Sequence, residues 1–193
     1  MANSSEFNKR DFLAQIRRQH TPRSDRFEVS FGAPAGLALG RNRLATLMCE
    51  EAQIPGLAAT NLPVKIGPWT EYRTQNLEFL TTEAVFSFVV DQNWELRSYF
   101  EEWIHLSASM TNKEVSFYNK VTCTIDVKSL DTQDNVIGHW KLHEAVPKLL
   151  NITPVAWGNT QLLRSSLSVS AKRWTNELYN YTGTGNFVGP VRP

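Results

Sequence analysis

The most informative pattern in the chain lies at residues 83–109, which read EAVFSFVVDQNWELRSYFEEWIHLSAS. Residues 84–90 are rich in Val and Phe, a composition typical of a strand. Asp91 and Asn93 follow, and their side-chain oxygens can accept the free N–H groups of a first helical turn. Apolar residues then recur at helical spacing, which predicts an amphipathic helix of about four turns directly after a strand.

This helix needs an apolar surface to cover, because one of its faces is wide and apolar. The residues predicted to face the core are Leu96, Tyr99, Phe100, Trp103 and Ile104. The charged side carries Arg97, Glu101, Glu102 and His105, and the helix pattern alone places it in solvent. Every other segment after residue 25 is interpreted as strand, hairpin or loop. The fold class predicted is therefore mainly β, with antiparallel sheets and one α-helix packed on the side.

Upstream of this stretch, strand signals alternate with bends. RFEVSF at 26–31 alternates apolar with polar residues, the pattern of a half-buried strand. Residues 44–53 fit either a strand or a short helix, and Pro55 and Gly56 then force a bend.

Residues 57–80 are polar and repeatedly interrupted. Pro63 and Pro68 argue against a central strand, because proline cannot donate to a ladder. We predict a projecting hairpin arm with aromatic anchors at Trp69 and Tyr72. Such an arm has too little core of its own and packs on something else.

Downstream, residues 115–130 alternate over the longest strand candidate, with residues 136–146 as its hairpin partner. Ile137, Trp140 and Leu142 are available for burial, and Pro147 is predicted to end the second strand. Residues 161–174 form a last strand. These elements define a β domain at 26–174, preceded by an N-terminal arm at 1–25 and followed by an extended tail at 175–193.

The N-terminal arm contains a short amphipathic pattern. Its apolar residues are Phe7, Phe12, Leu13 and Ile16, with basic residues between them. The functional interpretations are an arm that docks on a neighbouring subunit and a basic helix on a membrane surface, and an arm or a mobile terminus is favoured. The apolar face is too small for a membrane anchor, and we also expect no signal peptide or membrane span.

Bulk composition excludes few functions. The chain has 193 residues and a formal charge of +1, which gives no general signal for coating nucleic acid. Cys49 and Cys123 are far apart in sequence and form no CxxC motif, so free thiols are expected.

No motif points to catalysis, a cofactor or a metal. His139 and His143 share a strand face, but a metal site needs further ligands that no local motif supplies. The adjacent carboxylates of Glu50 and Glu51 point to opposite faces of a strand, and a solvated face is the simpler interpretation. We expect a protein that is not an enzyme.

Aromatic residues in segments with no core of their own are more informative. The set is Trp69, Tyr72, Tyr179, Tyr181 and Phe187. Exposed aromatics with Arg73 nearby suit protein–protein contact. Stacking on single-stranded nucleic acid is the competing interpretation, and basic residues are not concentrated beside these rings.

Taken together, the order of features resembles the tail tube protein family of contractile-tailed bacteriophages. The segments that carry the resemblance are RFEVSF (26–31), MCEEAQIPG (48–56), NLPVKIGPWTEYR (61–73), VFSFVVDQNWELRSYFEEWIHL (85–106) and the strand pair at 115–146. Within the strand–helix block, Trp94, Phe100 and Trp103 stand where the family carries its aromatic stripe.

The resemblance implies two packed antiparallel sheets with one helix, assembled as homohexameric rings whose inner strands form a continuous β-barrel. Stacked rings would form a hollow tube in the virion tail, assembled in the host cytoplasm, with the sheath, baseplate and tail-terminator proteins as partners. Double-stranded DNA would pass through the lumen without sequence-specific binding. A baseplate tube-initiator, a tail terminator and a secretion-system tube homologue of the same fold are the alternatives, and a single-stranded nucleic-acid-binding β-barrel is a further one.

Two sets of residues acquire roles under this resemblance. The expected contacts between subunits or rings are Pro63, Trp69, Tyr72 and Arg73. The charged side of the helix, from Arg97 to His105, becomes a candidate outer surface toward a sheath or a neighbouring subunit.

Overall fold

The structure is a computed structural model that describes residues 9–19, 22–37, 40–80, 84–109, 114–151, 153–158 and 161–178. Its helices are α1 (Lys9–Gln19), α2 (Asn42–Met48), α3 (Glu95–Ser107) and α4 (Tyr118–Val121). Its strands are β1 (Phe27–Phe31), β2 (Cys49–Ala52), β3 (Gly56–Ile66), β4 (Trp69–Leu80), β5 (Ala84–Val89), β6 (Cys123–Leu130), β7 (Val136–Leu150), β8 (Arg164–Ser170) and β9 (Arg173–Asn176). Tyr179, Tyr181 and Phe187 lie outside the described residues, as does most of the predicted tail.

Antiparallel strands form two layers that share the long strand β7. One layer has the order β1-β6-β7-β9, and the other has the order β7-β8-β5-β2. The hairpin β3-β4 forms a separate pair. The prediction of a mainly β fold with two antiparallel sheets is confirmed.

β7 connects the layers because it changes partner along its length. It pairs with β6 as far as Ala145 and with β8 from Val146 onward. Glu144 has a φ of +53° at this change. The prediction that Pro147 ends the strand is wrong: the strand continues through Pro147, and a register shift beside it accommodates the missing N–H donor.

The core lies where the two layers meet α3. Phe31 of β1 packs against Phe86 and Phe88 of β5, with ring centroids 5.3 and 5.7 Å apart. Phe100 of α3 lies 4.8 Å from Phe88. These four rings bring one strand from each layer and the helix into a single cluster, as the amphipathic pattern of α3 requires.

Two short helices depart from the prediction that α3 is the only helix after residue 25. The ambiguous segment 44–53 contains both alternatives, since α2 ends at Met48 and β2 begins at Cys49. The Asn42 amide fixes α2 by donating to the carbonyl of Phe31 at 2.8 Å.

The predicted strand 115–130 is shorter than its alternating pattern. β6 begins only at Cys123, while Val115 and Phe117 are each 80% exposed. The reason is that α4 turns the chain toward α3, where the Val121 carbonyl accepts the indole N–H of Trp103 at 2.7 Å. The buried alternation at Cys123, Ile125 and Val127 follows the predicted parity.

The last predicted strand, 161–174, is divided into β8 and β9, because β8 pairs with the C-terminal end of β7 and β9 pairs with its middle. In the second strand of the 136–146 hairpin, Leu142 is buried but Ile137 is 41% exposed, on the opposite face. Among the described residues, no helix is long and apolar enough to cross a membrane.

Candidate assembly surfaces

Asp91 sets the start of α3. Its two carboxylate oxygens accept the backbone N–H groups of Glu95 and Leu96 at 3.0 and 3.1 Å. Trp94, with a left-handed φ of 59°, turns the chain between the carboxylate and the helix. Partial burial of the Asp91 carboxylate acts to raise its pKa. The backbone N–H groups that donate to it have the larger effect, so its pKa lies below the ordinary value.

The buried face of α3 is narrower than the apolar face that the sequence pattern predicts. Leu96, Tyr99, Phe100 and Trp103 are all buried, whereas Ile104 is only half-buried. At 3.6 residues per turn, Ile104 lies about 80° around the helix from Leu96, at the edge of the apolar stripe. Ile104 therefore borders the core and does not belong to its centre.

The predicted outer side of α3 is partly used within the chain. Arg97 donates to Glu101 at 2.9 Å and to the Thr153 hydroxyl at 2.8 Å. Arg41 donates to Glu102 at 2.7 Å. Arg97 is thus not an outward-facing cation, because it lies on the flank of α3 beside the connection after β7. Glu101, Glu102 and His105 retain exposed surface.

The hairpin β3-β4 projects from the body. Gly67, with a φ of +60°, and Pro68 form its two-residue turn. Residues 59–76 are exposed apart from the half-buried Val64. At its base, the indole N–H of Trp174 donates to the Gly56 carbonyl at 2.9 Å. The arm is anchored at one end and lacks cover along its length.

Strand register gives the outer half of the hairpin two different faces. Two residues that are paired across the strands point to the same face, and successive pairs along the hairpin point to opposite faces. One face carries Leu62, Val64, Ile66, Trp69, Glu71 and Arg73, and we call its four apolar residues, Leu62, Val64, Ile66 and Trp69, the apolar hairpin face. The opposite face carries Asn61, Pro63, Lys65, Thr70, Tyr72 and Thr74.

The four predicted contact residues therefore do not form one patch. Trp69 and Arg73 lie on the apolar side, while Pro63 and Tyr72 are paired on the other. Arg73 also forms an ion pair with Glu71 at 3.1 Å. Trp69 and Tyr72 are 78% and 71% exposed, so both sides of the arm offer an aromatic anchor.

A second exposed apolar surface was missed in the sequence. Val155, Trp157 and Leu162 are all highly exposed, although the sequence pattern predicts no surface role for them and places Leu162 in the last strand. The run PVAWG at 154–158 contains no polar side chain between its proline and glycine. That run is the signal from which an exposed apolar loop could have been predicted.

Groups with potential chemistry are occupied by ordinary structural contacts. His139 lies 2.9 Å from Asp126, and His143 lies 2.8 Å from the Thr175 hydroxyl. Burial raises the pKa of both the Cys49 and Cys123 thiols to about 12. Within the described ranges, no cluster of three or more His, Cys, Asp or Glu side chains could hold a metal ion.

The described residues define a class: a two-layer β subunit with one packing helix and a projecting hairpin. The sequence model of a family described as phage tail tube protein matches residues 22–177. The chain belongs to the phage tail tube protein family, in agreement with the resemblance found in the sequence. A comparison with curated protein sequences gave no significant match.

Solved structures share this fold at low sequence identity. A chain in the cryo-EM structure of the anti-feeding prophage baseplate is 13% identical, with a TM-score of 0.59 over 81% of this chain and 95% of that chain. A chain in the sheath–tube complex of the PVC extracellular contractile injection system is 12% identical, with a TM-score of 0.59 over 91% and 99%. A chain of the anti-feeding prophage tube terminating cap is 14% identical, with a TM-score of 0.59 over 82% and 92%.

Proposed function

We propose that this protein is a subunit of the tail tube of a contractile-tailed phage. Homohexameric rings stack into a hollow tube, and the genome is delivered through its lumen without sequence-specific contacts. The observation that carries the proposal is the family match over residues 22–177. The subunit works in the virion tail after assembly in the host cytoplasm, and its role is structural, without catalysis or a cofactor.

Unpaired strand edges support a closed ring. β1 and β2 stand at the two ends of the strand order, so each has a side without a strand neighbour among the described residues. Open edges invite further strand pairing, and a barrel shared between copies removes them. The apolar hairpin face adds a surface that one subunit leaves uncovered, and a neighbouring copy or ring would bury it.

The outer side of α3 supplies the proposed contact with the sheath or with a neighbouring subunit. Glu101, Glu102 and His105 are the exposed residues for this role, although Glu101 and Glu102 are also paired within the chain, with Arg97 and Arg41. Baseplate and tail-terminator proteins would contact the two ends of the tube. A tube-initiator or terminator role is the second candidate, since the fold is shared with chains from baseplate and cap structures.

Light scattering on purified full-length protein tests the proposal at the level of the ring. We expect a hexamer that grows into longer species as the concentration rises. A monomer at every concentration would contradict it. Salt-sensitive binding of that monomer to oligonucleotides would favour the nucleic-acid alternative.

Copy number separates the tube from its end proteins. In purified particles, quantitative mass spectrometry should find many rings of this chain for each particle. A single ring would assign it to the baseplate or the terminator.

A further inference from the structure

The two layers differ in whether a further strand can join their ends. In the β1-β6-β7-β9 layer, Val29 and Phe31 of the end strand β1 are only 1% and 2% exposed, so their backbone is covered as well. The Asn42 amide at the start of α2 occupies the Phe31 carbonyl at 2.8 Å. A second copy therefore has little access to the free side of β1.

Both ends of the β7-β8-β5-β2 layer are accessible. At one end, Glu50 and Glu51 of β2 are exposed. At the other end, β6 pairs with β7 only as far as Ala145, so residues 146–150 have β8 on one side and, among the described residues, no strand on the other. Leu149 in this segment is 53% exposed. This layer therefore has two edges at which a second copy can add a strand.

Backbone groups at both edges point away from the layer. The N–H of Gln53 donates to a carbonyl of β5 at 3.2 Å, so the alternation along a strand directs the N–H and C=O of Ala52 away from β5. The N–H of Asn151 donates to a carbonyl of β8 at 2.9 Å, which directs the N–H and C=O of Leu150 away from β8. Edge groups of this kind are a template for pairing with another chain.

Strand direction makes the two edges compatible. Each strand of the layer is antiparallel to its neighbours, so β2 and residues 146–150 of β7 run in opposite directions. A rotation about an axis along the strands preserves their direction, and it brings β7 of one copy antiparallel to β2 of the next. The contact uses two different edges, and a head-to-tail contact of this kind forms a ring when the rotation closes.

We propose that β2 of one copy pairs antiparallel with residues 146–150 of β7 in the next copy. The inference rests on the proposed function, because it names the strands that join neighbouring subunits of the ring. Because Pro147 has no N–H, residues 148–150 supply the donors on this side. Six copies of four strands give about 24 strands, and a spacing of about 4.8 Å then gives a barrel about 37 Å across, which leaves an open lumen.

The pairing also assigns the face of the layer that lines the lumen. The core and the helices lie on one side of the layer, so the other face lines the channel. Most side chains of this lumen face are uncharged: Val85, Ser87, Val89, Leu149, Ser166 and Ser168. Its charges lie toward β2, where Arg164 is held by Glu50 at 2.6 Å and Glu51 adds a carboxylate. Such a lining gives a passing polyanion few cations to bind.

Disulfide crosslinking around the ring tests the strand pairing. Glu51 and Leu149 lie on the lumen face at opposite edges of the layer, so Glu51→Cys and Leu149→Cys in one chain can link each copy to the next. The chain also carries Cys49→Ala, which removes a thiol two residues from the new one, and burial raises the pKa of the Cys123 thiol to about 12. After mild oxidation, non-reducing denaturing electrophoresis should show linked species of up to six chains.

A matched control moves one cysteine to the other layer. Glu28→Cys replaces Glu51→Cys, because Glu28 is an exposed carboxylate on β1. This control should give no linked species. An equal series of linked chains from the control would overturn the assignment, and so would rings of the tested variant that contain no crosslink.

A backbone variant tests the hydrogen bonds of β2. Ala52→Pro removes an N–H that points away from β5, whereas Ala52→Ser keeps it. In the double-cysteine chain, the proline should lower the yield of linked hexamer about tenfold relative to the serine, the change that corresponds to about 1.4 kcal/mol. Circular dichroism checks the fold, and equal yields from the two folded proteins would overturn the pairing. If the proline variant does not fold, the crosslink and its control decide the proposal.

Thiol labelling of assembled tubes tests the lumen face. Ser87→Cys should react with a small maleimide but at least about tenfold less with a maleimide on a polymer too wide for the lumen, whereas Glu28→Cys should react with both. Equal reaction of Ser87→Cys with both reagents would contradict the lumen assignment. Rings without the crosslink would contradict this strand pairing alone, whereas linked chains that never close into rings would contradict the proposed function alone.

Discussion

At the scale of single residues, Trp103 attaches α3 to the rest of the subunit. Its ring is 1% exposed, and its indole N–H donates to the Val121 carbonyl at 2.7 Å. The ring therefore contributes both apolar burial and a satisfied buried donor.

Replacing Trp103 with alanine should lower the free energy of unfolding by about 3–5 kcal/mol, because a large cavity would remain. Urea unfolding of the two proteins measures the difference. Trp69→Ala is the matched control, since that ring is 78% exposed and its loss should change the value by about 0.5 kcal/mol or less. Equal stability of Trp103→Ala and the native protein would show that the ring is not a core residue.

Asp91 gives a prediction with a pH dependence. Asp91→Ala should cost about 0.5–2 kcal/mol at pH 7, because two N–H groups of the first helical turn lose their acceptor. The folded-state pKa of Asp91 lies below its unfolded value of about 3.9, so this stabilisation is present above that pH. It is lost as the pH falls through the folded-state pKa.

The stability difference between the native protein and Asp91→Ala should therefore shrink in acid. Urea titrations at several pH values measure it, with the neighbouring exposed Gln92→Ala as the control. A difference that grew as the pH fell would contradict the assigned role of the carboxylate.

At the scale of elements, the hairpin β3-β4 is the main contact of the proposed assembly. Ile66 and Trp69 are cross-strand partners on the apolar hairpin face, and the adjacent partners Lys65 and Thr70 lie on the opposite face. The same element therefore offers a test variant and a control variant at equal distance from the body.

Ile66→Glu with Trp69→Glu should leave the subunit folded but prevent ring or tube formation, because charges would replace the apolar contact surface. Lys65→Gln with Thr70→Glu makes the same change in formal charge on the other face and should still assemble. Circular dichroism checks the fold, and sedimentation velocity measures assembly. Assembly of the first variant would show that the apolar face is not buried between copies.

The elements also show what a sequence can predict. The α3 stripe and the hairpin were predictable, because helical spacing and the Gly67-Pro68 turn are local signals. The continuation of β7 through Pro147 depends on a partner strand distant in sequence, and no local pattern encodes it. The alternating residues before Cys123 predicted a strand that does not form, for the same reason. The contact with Trp103 of α3 decides the path of this segment.

The candidate assembly surfaces show the same difference between features that local sequence signals predict and features that depend on distant contacts. Trp69 and Tyr72 were recognised as exposed anchors because a proline-interrupted arm cannot bury them. Their placement on opposite faces could not be predicted, because it depends on the strand register. A shift of the register by one residue would exchange the two faces. The internal bonding of Arg97 required the position of Thr153, which the helix pattern does not contain.

At the scale of the whole molecule, the uncovered apolar surfaces support the proposed assembly. The apolar hairpin face and the exposed side chains of Val155, Trp157 and Leu162 are apolar surfaces of the kind that mark interaction sites. The near-neutral formal charge of +1 does not oppose close packing of many copies. A stacked ring covers such surfaces and also removes the sheet edges at β1 and β2.

Cryo-electron microscopy of the purified full-length protein at high concentration tests the tube assignment most directly. We predict hexameric rings that stack coaxially around an open lumen, with Trp69 of each hairpin buried against another copy. Isolated single subunits at every concentration, or closed particles without a lumen, would contradict it.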